Sequence, residues 1–122
     1  MNSRLKGAAG ERELAEQLRE YGYQARRGQQ FSGANGDADV VGLPGYHIEC
    51  KRVEKLNIDE AMAQSIRDAR ENEVPIVCHR KNRKDWLVTM KLKDFMEVLN
   101  GKGREEGSGE SGSKDQDSGG VR

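Results

Sequence analysis

Cysteine is scarce in this sequence: Cys50 and Cys78 are the two present, 28 positions apart. Two isolated thiols make no disulfide framework, which points to a reducing compartment. No run of 18 apolar residues occurs, so no membrane-spanning helix is expected. The opening Met1-Asn2-Ser3-Arg4-Leu5-Lys6 has no apolar core of a secretory signal, and a cytoplasmic location is expected. Aromatic residues amount to 5%, with no stacking series of the kind single-strand binders use. An excess of one charge is missing too. Lys plus Arg total 21 and Asp plus Glu total 21, which argues against a histone-like polybasic binder. A nucleic-acid partner stays open, because the distribution of charge matters more than its sum.

The 122 residues suffice for one small domain. Composition breaks near Asn100. Residues 101–122 contain a single apolar residue, Val121. Such a segment buries too little surface to offset its ordering entropy, so it is expected to be a disordered tail. The tail holds 4 basic and 5 acidic residues, which leaves 17 cations and 16 anions in residues 1–100. A domain of that size forms one modest core, and dimerisation would add to it.

Leu14, Leu18 and Tyr21 recur at helical spacing, with Ala8 and Ala15 beside them, so a helix is predicted from about Arg4 to Tyr21, stopped by Gly22. Short strands are predicted at residues 23–27, 38–43 and 46–52, the last two forming a hairpin across Pro44-Gly45. Residues 28–37 make a glycine-rich loop. Asn57 is a good N-cap with Glu60 three residues on, and the helix it starts is predicted to run to about Glu73. Strands at 74–79 and 86–90 flank a basic turn, and a helix at 91–99 ends at Gly101. This order predicts an α/β fold, with helices flanking a central mixed sheet of about five strands. Trp86, Leu87, Phe95, Met96 and Met62 are candidates for core or interface, and core is the default.

The acidic residues have a pattern. Side chains alternate along a strand, so Ile48 and Cys50 face one side while His47, Glu49 and Lys51 face the other. Asp39 lies on the partner strand, about 5 Å away, where it can share one divalent cation with Glu49. Read alone, D…ExK also describes an exposed sheet face with an ordinary ion pair. On the first helix, Glu11 sits inside the stripe of Ala8, Leu14, Ala15 and Leu18, whereas Glu13 is roughly 160° away, on the solvent side. A core-facing carboxylate needs a partner. That partner is a metal, or else Arg26 or Lys51, unless the side chain snorkels to the helix edge. Taken together, these residues can form one acidic pocket holding a single cation. Such a pocket suits phosphodiester hydrolysis assisted by divalent metal.

Lys6-Gly7-x-x-x-Glu11-Arg12-Glu13-Leu14, Gly36-Asp37-Ala38-Asp39-Val40-Val41-Gly42 and Ile48-Glu49-Cys50-Lys51 resemble, in order, the archaeal and phage Holliday-junction resolvases. These belong to the PD-(D/E)xK nuclease superfamily. The resemblance covers roughly residues 4–99. It implies a restriction-endonuclease-like fold and a homodimer that cuts four-way DNA junctions by paired nicks, with Mg²⁺ or Mn²⁺. It further implies a part in DNA recombination and repair, in the host cytoplasm if the chain is phage-encoded, and no small-molecule cofactor. Carried over by position, Glu11 helps set the metal site, Asp39 and Glu49 bind metal with the backbone carbonyl of Cys50, and Lys51 is the catalytic lysine. Ser32 sits near a serine used close to the scissile phosphate. Gln64, on the outer margin of the second helix, matches a polar residue that often supports the active-site acids; it also reads as an ordinary exposed glutamine. Ala38 stands where the named motif has proline.

The turn Arg80-Lys81-Asn82-Arg83-Lys84 carries four cations in five positions. With Arg4, Lys6, Arg26, Arg27, Arg52 and Lys55 it can form a cationic rim that contacts phosphates. Each of these residues also reads as an ordinary solvated charge. No recognition-helix pattern argues for base reading, so branched-duplex recognition by shape fits better. Three rivals remain. His47, Cys50, Cys78 and His79 offer zinc ligands, but Cys78 and His79 are adjacent on a strand and face opposite sides. A non-catalytic DNA-binding accessory protein is the second rival. A nicking, repair or restriction-type nuclease with the same pocket is the third.

Overall fold

A computed structural model describes residues 3–29 and 38–101. The chain divides into two compact units, residues 1–91 and 92–122. The expected tail, beyond Gly101, lies outside the described residues.

In the first unit, α1 (Ser3–Glu20) is followed by β1 (Arg26–Arg27), β2 (Val40–Val41), β3 (Tyr46–Arg52), α2 (Ile58–Asp68), β4 (Val74–Arg80) and β5 (Leu87–Met90). The five strands form one sheet in the order β1-β2-β3-β4-β5. β3 and β4 run parallel and the other pairs antiparallel, so the sheet is mixed, as expected. Parallel neighbours need a crossover, and α2 supplies it.

Why α1 ends where it does is local chemistry. Gly22 takes φ +102°, a region costly for other residues. The Tyr23 N–H then turns back to the Leu18 carbonyl at 3.2 Å. Leu14 and Ala15 are buried, and with Ala25, Val40, Ile48, Cys50, Ile76 and Cys78 they make the core beneath α1. By strand alternation, His47 and Glu49 of β3 look the other way, toward α2. The Asn57 side chain accepts the Glu60 N–H at 3.0 Å and starts α2. Ala61 and Ser65 are buried. The Ser65 hydroxyl lies 3.2 Å from the His47 carbonyl and 3.0 Å from that of Ile76, which fixes α2 on both parallel strands.

Several expectations need correction. α2 stops at Asp68 instead of continuing to Glu73, because Ala69 is extended (ψ 143°) and the Glu73 carboxylate takes the Arg70 N–H at 2.9 Å to form a turn. Only Arg26–Arg27 and Val40–Val41 of the first two predicted strands enter the ladder. Leu87 is exposed, on the strand that ends the sheet among the described residues. Phe95 and Met96 are exposed as well, whereas Trp86 packs on the core and Met62 is half-buried.

The second unit contributes α3 (Leu92–Leu99), whose C-terminal turn closes with the Gly101 N–H on the Val98 carbonyl at 3.0 Å.

Candidate active site

Asp39 precedes β2 and is pinned on both sides. Its N–H donates to the Ile48 carbonyl at 3.0 Å, and its own carbonyl accepts the Gly28 N–H at 2.9 Å. Its side chain is fixed too, with Oδ2 accepting the Cys50 N–H at 2.8 Å. This places the carboxyl beside Glu49. Glu49 is 4% exposed. Burial, then the charge of Asp39, pushes its carboxyl up to about 7, against the pull of Lys51; Asp68 and a carboxyl–carboxyl hydrogen bond to Asp39 add to the rise. Asp39 is also raised, chiefly by burial, with the Cys50 amide opposing. Desolvation disfavours the ionised form of both carboxyls, most strongly that of buried Glu49.

The Lys51 ammonium stands 3.8 Å from Glu49 Oε2 and remains about one-third exposed. Glu11 approaches from α1. Its carboxyl rises above its ordinary value through burial; a hydrogen bond from Arg27 opposes this and the charge of Asp39 adds to it. Arg27 Nε donates to Glu11 Oε1 at 3.1 Å. Glu11, Asp39, Glu49 and Lys51, from a helix, a loop end and one strand, are therefore brought together. Asp39, Glu49 and Glu11 supply carboxylate oxygens, hard donors of the kind Mg²⁺ and Mn²⁺ take.

The remaining expected residues are distributed as follows. Ser32 lies outside the described residues, as do the side chains of Arg4 and Lys6. Gln64 is half-buried on α2, and no hydrogen bond of its side chain is seen among the described residues. Arg26 is exposed and donates to the Arg27 carbonyl. Arg52 and Arg80 are engaged inside the protein. Arg80 makes a two-pronged contact with Glu13, at 2.9 and 2.8 Å, donates to the Lys81 and Lys84 carbonyls, and lies over the Trp86 ring at 5.8 Å. Arg52 Nε is 3.2 Å from the same Glu13, at ion-pair distance, and Arg52 Nη2 donates to Asn82. Glu13, expected on the solvent side, is thus half-buried and holds two arginines from the ends of β3 and β4. Those arginines hold its carboxyl below its ordinary value. Lys55, Lys81, Arg83 and Lys84 are exposed. Lys55, Lys81 and Lys84 rim one cleft of about 680 Å³, with Leu56, Ile58 and His79 in its wall.

Cys50 and Cys78 are register neighbours in the core, both free. His47 lies on the opposite face, and His79 Nε2 is 2.9 Å from Thr89 Oγ1. These four do not converge as zinc ligands.

Sequence reasoning missed Asp68, whose carboxylate lies close to His47 and Glu49. The signal was present, since Ala61, Ser65 and Asp68 follow the i, i+4, i+7 stripe of a buried helix face.

No curated protein matches the chain. Among solved structures, it is similar to Hjc, a Holliday junction resolvase from the archaeal hyperthermophile Archaeoglobus fulgidus, at 23% identity and a TM-score of 0.49, covering 70% of this chain and 72% of that one. A family model described as "Phage putative PDDEXK endonuclease" matches residues 2–117, nearly the whole sequence, and the chain belongs to that family of phage PDDEXK endonucleases.

Proposed function

We propose that the protein is a metal-dependent, structure-selective DNA endonuclease that hydrolyses phosphodiester bonds at four-way junctions by paired nicks, acting as a homodimer. The observation that carries the reading is the convergence of Asp39, Glu49 and Lys51, with the Asp39 carboxyl fixed on the Cys50 amide. Family membership supports the nuclease chemistry. The run of motifs from Lys6 to Lys51 supports the junction substrate.

Asp39, Glu49 and the Cys50 carbonyl would hold Mg²⁺ or Mn²⁺, with Glu11 completing the site. The Asp39 carboxyl held on the Cys50 amide beside the buried Glu49 carboxyl is the oxygen donor set that fits a cation there. When bound, the ion polarises the scissile phosphate and makes an attacking water more acidic. Lys51 is placed to orient that water and to neutralise charge growing on the phosphate oxygens. Arg27 holds the Glu11 carboxylate toward the pocket. The exposed Lys55, Lys81, Arg83 and Lys84 offer phosphate contacts that position a duplex without reading bases.

The test is incubation of the purified protein with a synthetic four-way junction and Mg²⁺. Symmetrical nicks in opposing strands with little action on linear duplex are expected. Equal cutting of linear DNA overturns the junction reading and leaves a general nuclease.

A further inference from the structure

The sheet face under α2 carries a second set of ligand atoms. His47 and Glu49 are two residues apart on β3 and share that face. Asp68, the last residue of α2, stands over them. One ring nitrogen of His47 and one carboxylate oxygen each from Glu49 and Asp68 lie within 4.8 Å of one another. His47 is 5% exposed, whereas the Asp68 side chain is 50% exposed, which leaves a path from solvent.

This trio is held in place. Ser65, one turn before Asp68, binds α2 to the carbonyls of His47 and Ile76. Glu73 Oε1 lies 3.5 Å from His47 Nδ1. A carboxylate beside the ring helps to fix its orientation, as the neighbours of metal-ligating histidines do. Asp68 also lies at the C-terminal end of its helix, where the helix dipole favours cations. Its pairing with Arg67, at 3.9 Å on the surface, is of a weak kind that yields to an ion.

We propose that His47, Glu49 and Asp68 form a second cation site, with Glu49 bridging toward Asp39. Only the Asp39 side of that bridge rests on the nuclease reading. An imidazole nitrogen with two carboxylates suits borderline transition metals such as Mn²⁺, Co²⁺ or Zn²⁺ better than Mg²⁺. Mn²⁺ therefore fills both sites, whereas Mg²⁺ fills the all-oxygen site alone.

The full chain, free of DNA, is titrated with Mn²⁺, and unbound ion is counted by electron paramagnetic resonance. Two ions per chain are expected, one of them showing ¹⁴N coupling from imidazole. Asp68→Asn should weaken one site at least about tenfold, and His47→Gln should abolish the ¹⁴N coupling. Asp39→Asn should keep it. Wild-type stoichiometry and affinity in Asp68→Asn, or no ¹⁴N coupling in the wild type, overturns the site. Thermal melting of the metal-free variants identifies one that fails to fold. Asp68→Asn, changed at a half-exposed position, decides the matter if His47→Gln does not fold. Mn²⁺ binding that depends on Asp68, in a protein that cuts no DNA, supports this site and removes the nuclease reading instead.

Discussion

Asp39 and Glu49 belong to different segments, yet the Asp39 charge, after burial, raises the proton affinity of the Glu49 carboxyl beside it. The Cys50 amide, between Glu49 and Lys51 in sequence, is what fixes Asp39 there. On the proposed nuclease reading the pair would take a cation, and Lys51 beside it would face an anionic transition state. Asp39→Asn, Glu49→Gln and Lys51→Ala are each expected to cut the cleavage rate by at least about two orders of magnitude, with junction binding retained. Single-turnover kinetics beside a gel-shift titration checks this. Normal turnover in any variant removes that residue from the site.

The same pair predicts how stability depends on pH. The folded Glu49 carboxyl is raised from 4.5 to about 7, so between these values the folded state binds more protons than the unfolded one. Stability of the metal-free protein should therefore fall as pH rises through that window. Raised Asp39 and Glu11 act in the same direction. Melting curves from pH 5 to pH 8 should show a falling midpoint, and Glu49→Gln should flatten it. Added Mn²⁺ should restore the midpoint at pH 8. A midpoint that rises over this range contradicts the arrangement.

How much of this was legible in the sequence depends on the range of the interactions. Strand alternation is a backbone property, so the shared face of Glu49 and Lys51 followed from spacing alone, and β3 has the expected bounds. Glu11 followed from the helical wheel. Glu13 did not, because a wheel records only the helix's own core contact, and Arg52 and Arg80 come from the ends of two distant strands. Asp68 shares the Ala61–Ser65 stripe, so its helix face was legible, but that this face meets His47 and Glu49 was not, because it depends on Ser65 reaching two strand carbonyls. β1 and β2 were overextended, since local composition marks a strand but not how many of its residues find a ladder partner.

Glu13 ties α1 to the strand ends that lead into the basic turn. Glu13→Gln should release Arg80 and Arg52 and lower the melting midpoint by a few degrees. The sign with pH is opposite to that of Glu49. The Glu13 carboxyl is lowered by Arg80, with Arg52 adding to it, so its contribution is present at neutral pH and is lost as pH falls below 4.5. The difference in midpoint between wild type and Glu13→Gln should therefore shrink in acid. A constant difference down to pH 3 shows that the charge is not what stabilises.

Gly42 follows β2 and carries a constraint that no neighbouring residue shows. Its φ is +111°, and a β-carbon there would run into the Gln24 carbonyl and the Ala25 backbone. Both neighbours are main chain and have no flexible end to yield. Gly42→Ala should cost about 1–3 kcal/mol from the backbone conformation alone, with the clash adding to it. Because β1 is paired, among the described residues, only to β2, the damage should spread first to Arg26–Arg27 and with them to the Arg27–Glu11 contact. Hydrogen exchange should therefore show lost protection at residues 25–28 before the β3–β4 pair is affected. Uniform loss across the sheet would mean that Gly42 supports the whole fold rather than this edge.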